Sequence, residues 1–127
     1  MTAKRKRAEP DHGAAVDHLL AADPVMKSIV TRVGPIMRVV RDAAVVDPEM
    51  AEQWATNQTQ TAAAFGVLAE QLDAMHALRV PVEEATDILC AISGLSMYLV
   101  LTDRGWTAAQ WEHFAVDTVA HALLQPH

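Results

Sequence analysis

The sequence predicts an all-α fold, an antiparallel bundle of about five helices. Three observations predict it. The apolar residues recur at helical spacing and nowhere alternate as a strand would. Proline and glycine fall between the periodic segments, where helices start and stop. The 14-residue run Ile88–Leu101 contains no charge, so it forms a helix that must be covered on more than one side.

Taken in order, residues 1–11 are polar and predict a disordered basic tail. Residues 12–127 form one all-helical domain. His12–Ala22 is a short helix with Val16, Leu19 and Leu20 on one side. Asp23-Pro24 then supplies an N-cap followed by proline at the first helical position. The next helix buries Val25, Met26, Ile29, Val30 and Val33. Gly34-Pro35 kinks or breaks it, because proline lacks an amide proton and crowds the preceding turn. The pattern resumes with Ile36, Met37, Val39, Val40, Ala43 and Ala44.

Asp47-Pro48 repeats the start signal for the longest helix, about residues 48–77. Its apolar stripe is Trp54, Phe65, Leu68, Leu72 and Met75. Pro81-Val82-Glu83-Glu84 opens a helix that reaches Asp103, with two carboxylates in the turn where the dipole favours them. Gly105 provides the left-handed stop. Thr107 with Gln110 forms a capping box for the last helix, which buries Trp111, Phe114, Ala115, Thr118, Val119 and Ala122.

Composition narrows the function classes. A chain of 127 residues is one domain's worth, with 51% apolar and 20% charged residues. The single Cys90 excludes an internal disulfide and fits a reducing, cytoplasmic setting. No apolar segment reaches the roughly 18 residues that span a membrane, and no secretory signal opens the chain. The net charge of −6 hides an asymmetry. Lys4, Arg5, Lys6 and Arg7 leave six basic against 16 acidic residues in the rest of the chain. An acidic body repels phosphate backbones, so direct DNA binding is not expected.

For chemistry the sequence offers little. It has no Gly-rich phosphate loop, no nucleophile elbow and no isolated carboxylate pair in an apolar run. His113, Asp117 and His121 share one helix face but lack a full ligand set, so they read as a solvated row and no metal is expected. Cys90 has no basic neighbour to activate it. Neither an enzyme nor a cofactor is expected.

Gln58 and Thr61 are more informative. They lie on the face of Trp54, Phe65, Leu68 and Leu72. Two uncharged polar groups set among apolar ones suit a pocket for a mostly apolar molecule. The other reading of Thr56–Thr61 is a wetted surface turn. The expected pocket lining is Met37, Val40, Trp54, Gln58, Thr61 and Ile92.

The same residues carry two resemblances. PIMRVVRDAAVVDPEMAEQW (35–54), VEEATDILCAISG (82–94) and LTDRGWTAAQWEHFAVDTVAHALL (101–124) resemble the C-terminal ligand-sensing and dimerisation domain of TetR-type transcriptional regulators. The Arg104-Gly105-Trp106 turn before a helix with a second tryptophan is the most specific piece. The likeness implies a homodimer through the last two helices, with Ser93, Ser96, Leu99, Trp111, Phe114 and Thr118 at or near the interface. It also implies a small hydrophobic effector. Nothing here resembles the family's helix-turn-helix. A shorter stretch, ADPVMKSIVTRVGP (22–35), is similar to the opening helix of helix-hairpin-helix DNA glycosylases, without their hairpin or catalytic residues.

The expected function is therefore a TetR-like effector-binding and dimerisation domain without a DNA-binding domain of its own. The alternatives are a ligand-free helical dimerisation module and a non-catalytic glycosylase-like remnant.

Overall fold

A computed structural model describes residues 12–126; the predicted basic tail, residues 1–11, lies outside them. The described residues are all-α. They form α1 (His12–Ala43), α2 (Pro48–Ala74), α3 (Val82–Ser93), α4 (Leu95–Asp103) and α5 (Ala108–Leu123).

Two boundaries differ from the sequence expectation. α1 runs through Pro24 and Pro35 without a break, so the predicted short first helix and its restart at Asp23 do not exist. A proline inside a helix costs about 3 kcal/mol. Packing offsets that cost: Ala15 and Leu19 before Pro24, and Val30 and Val40 after it, are all buried. A helix with buried residues on both sides of a proline holds its line against local propensity.

The opposite happens in the apolar run. The expected single helix Val82–Asp103 breaks at Gly94, which adopts extended backbone at φ −85°, ψ 178°. A Cβ at Gly94 would collide with the Cys90 carbonyl oxygen, so only glycine fits this bend. Against the expectation that no segment reaches a spanning length, Val82–Asp103 is long and apolar enough to cross a membrane by length and composition. In the fold it is bent, with Ala85, Leu89, Leu95 and Leu99 buried.

Several local signals act as the sequence predicts. Asp47 accepts the Glu49 amide and caps α2, with Pro48 behind it. The Thr107–Gln110 capping box opens α5. Gly105 takes φ 95° beyond α4.

The core has two parts. One gathers Ala15 and Leu19 of α1, Phe65, Ala69 and Leu72 of α2, Ala85 and Leu89 of α3, and Val119 and Leu123 of α5. The loop after α2 joins it: the Arg79 amide donates to the Leu123 carbonyl at 2.8 Å, and the Gln125 amide to the Ala77 carbonyl at 2.8 Å. The second part surrounds Tyr98 and Trp111, whose rings meet edge to face at 5.2 Å, with Val30, Leu95, Leu99 and Ala115. α1 reaches both parts, because it packs on α2, α4 and α5.

Candidate functional site

Three of the six expected pocket residues pack against one core cluster, and the other three lie apart from it in burial. Val40 is buried, and Met37, Trp54 and Ile92 pack against the Tyr98–Trp111 cluster. Thr61 is half-buried. Gln58 is exposed, and its amide donates to the Ser96 hydroxyl at 3.1 Å. One expected pocket residue thus bonds one expected interface residue, and together they tie α2 to α4. Thr56, Thr59 and Gln60 are exposed as well, so most of this stretch is wetted. Asn57 is the inward-turned polar residue here, and its side-chain oxygen is covered without a hydrogen-bond partner.

The most enclosed space lies elsewhere. Leu19, Ala22 and Met26 of α1, Phe65 and Leu68 of α2, Leu89 and Ser93 of α3, and Trp111, Val116 and Val119 of α5 line a cavity of about 30 Å³. Ser93 is its single polar side chain. Such a volume holds a water or two, whereas ligand pockets run to roughly 300 Å³ and more. The larger spaces on the described residues are open surface grooves, such as the one between His12–Leu20 and Glu112–His121.

The expected interface residues divide. Leu99 and Trp111 are 0% and 1% exposed within a single chain, so neither has surface to offer a second copy. The physical reason is the bend at Gly94. The last four carbonyls of a helix lack partners within it. The Ile92 carbonyl is one of these in α3, and it accepts the Trp111 indole N–H at 3.3 Å. Trp111 therefore closes the chain's own core. Phe114 keeps surface and meets Trp106 edge to face at 5.7 Å. Ser93 and Thr118 are half-buried.

The apolar surface is concentrated in a place the sequence reading treated as core. Val25, Ile29, Ile36 and Val39 were expected to be buried. They are exposed, at 60%, 37%, 69% and 65%. Val45 and Val46, in the turn after α1, are exposed too. Among the described residues, seven of the ten exposed large hydrophobics fall between Leu20 and Val46. That decides where a partner would find apolar area. A signal for it was present. Apolar residues come as neighbours at 25–26, 29–30, 36–37 and 39–40. A stripe that wide exceeds what one core face needs.

Charge organises the far end of α1. Arg38 Nε and Arg41 Nη2 bind the two oxygens of Asp103 at 2.7 and 2.9 Å. Arg38 also donates to the Thr102 hydroxyl at 2.7 Å. Asp103 ends α4, where a helix dipole disfavours a carboxylate, and the two guanidiniums offset that. Hydrogen bonds from Arg41 and then Arg38 hold the Asp103 carboxyl below its ordinary range.

The remaining candidates are isolated. His113, Asp117 and His121 are exposed, and the closest approach in that row joins His121 Nδ1 to the Asp117 backbone carbonyl at 2.7 Å. Burial, helped by Asp87, pushes the Cys90 thiol up. That makes the thiol a weaker nucleophile source at neutral pH.

Comparison with family models, with curated proteins and with solved structures returned no match. The TetR-type likeness accordingly rests on residues 35–54, 82–94 and 101–124.

Proposed function

We propose that this chain is a helical self-association module, working by pairing with another protein surface rather than by catalysis. The sequence resemblance implies pairing through the last two helices, whereas the exposed apolar surface favours α1 as the pairing face. The observation that carries the reading is the apolar surface of Val25, Ile29, Ile36, Val39, Val45 and Val46. A monomer's largest apolar patch is normally about 300–600 Å² and often functional, and these residues together reach the upper end of that range. Size-exclusion chromatography with light scattering tests it. A dimer at micromolar concentration is expected, and a monodisperse monomer would overturn the reading.

A second reading, binding of a small apolar effector, is supported by the cavity at the junction of α1, α2, α3 and α5. Nine apolar side chains and one hydroxyl suit such a ligand chemically. The cavity must widen about tenfold to reach ordinary pocket size. A thermal-shift screen with hydrophobic compounds checks this. A ligand present at 100 times its dissociation constant stabilises the protein by about 2.7 kcal/mol.

A further inference from the structure

The outward face of α1 has an order that its exposure alone does not require. Val25, Ile29, Ile36 and Val39 lie within about 80° of one another around the helix. Extended in steps of three and four, the series becomes Ala22, Val25, Ile29, Arg32, Ile36, Val39, Ala43. That is the a/d spacing of a coiled-coil seam. The order of residue types is also palindromic: Ala, Val, Ile, Arg, Ile, Val, Ala. An antiparallel copy of the same helix, turned about a two-fold axis near Arg32, sets Val25 beside Val39 of the second copy and Ile29 beside its Ile36. An isologous interface requires this kind of self-complementarity.

We propose that two copies of this chain pair through α1, antiparallel, with Arg32 on the two-fold axis. The proposal rests on the self-association reading above and assigns its face. Self-complementarity supports a second copy as the occupant. The four exposed valines and isoleucines of the seam offer on the order of 400 Å², about half of the roughly 800 Å² per partner that a stable interface covers. The two Arg32 side chains meet as like charges. Their stems pack over the seam while the guanidiniums turn to solvent. A single polar residue in an apolar seam costs stability and selects register. An anionic membrane surface fits less well, since the chain carries a net charge of −6.

The test uses the full chain. Ile36→Glu and Val39→Glu change exposed residues, so folding is retained. Val39→Glu is expected to raise the dimer dissociation constant roughly 100-fold or more, because its carboxylate is buried against Val25 of the second copy without a partner, and Ile36→Glu to raise it less, because Arg32 lies one turn away. Phe114→Glu, on α5, is expected to leave the dimer intact. In a Cys90→Ala background, Val25→Cys combined with Val39→Cys is expected to form inter-chain disulfides, and Val25→Cys alone is not. A dimer that survives Val39→Glu and dissociates with Phe114→Glu would overturn the α1 face and leave the self-association reading standing. A wild-type monomer would overturn both, as would a monomer that binds phosphatidylglycerol vesicles through the stripe. Cross-linking by Val25→Cys alone would overturn the antiparallel arrangement.

Discussion

α1 and the block from α3 to α5 solve the same problem in opposite ways. Both are rich in apolar residues, and both contain residues that normally interrupt a helix. α1 stays helical through two prolines and turns five of its twelve large apolar residues outward. The α3–α5 block bends at one glycine and encloses nearly all of its own, leaving Val100 and Phe114 as its exposed large hydrophobics. The difference teaches that apolarity shows how much cover a segment needs, not where the cover comes from. A bent segment can supply its own cover. A continuous helix of 32 residues has more apolar surface than the rest of a small domain can reach.

The comparison makes ordered predictions. The largest effect is expected inside the block. Trp111→Ala removes a buried ring and its hydrogen bond to Ile92, and should cost about 3–5 kcal/mol in urea unfolding. At the junction of the two regions, Gly34→Ala should cost about 1–3 kcal/mol. A Cβ there would meet the Tyr98 ring at 3.0 Å, tighter than most such contacts. A result near zero would show that Tyr98 yields easily and that α1 is held more loosely than described. Thr107→Ala removes half of the α5 capping box and should cost about 1 kcal/mol.

Asp103→Asn is expected to have a smaller effect that depends on pH and salt. The carboxyl is held below its ordinary range in the fold, so its contribution is present above that range. It is lost as pH falls through the lowered value. The stability gap between wild type and variant should therefore be open at neutral pH and close in acid. A gap that widened on acidification would contradict the Arg38–Arg41–Asp103 clamp. Smallest of all, Ile36→Glu should change the stability of the single chain by less than about 0.5 kcal/mol, because the residue is a surface one. A loss as large as that of Trp111→Ala would erase the distinction between the inner and outer faces of α1.

Much of the fold was legible. Asp47-Pro48, Thr107 with Gln110, and Gly105 act through neighbours within a few residues, so their roles survive any tertiary arrangement. The errors came where distant packing decided. Pro24 reads as a helix start until Leu19 and Val30 are seen buried on either side of it. Val82–Asp103 reads as one helix until Gly94 is seen as a bend. The pocket residues were chosen by face. Face alone could not show that Gln58 would meet Ser96, or that a small partly enclosed cavity would form around Ser93 and Trp111.

The sequence by itself determined that the chain is helical, where most helices begin and end, and that the apolar content exceeds what one stripe per helix requires. These follow from local backbone chemistry and from spacing along a single helix. Only the tertiary structure decided which apolar residues share the core and which face outward. It turned Trp111 into a closing residue and Val25, Ile29, Ile36 and Val39 into surface. The physical reason is geometric. A helix has a full circumference, its neighbours cover only part of it, and the crossing positions of α2, α4 and α5 on α1 are set by contacts between residues far apart in the chain.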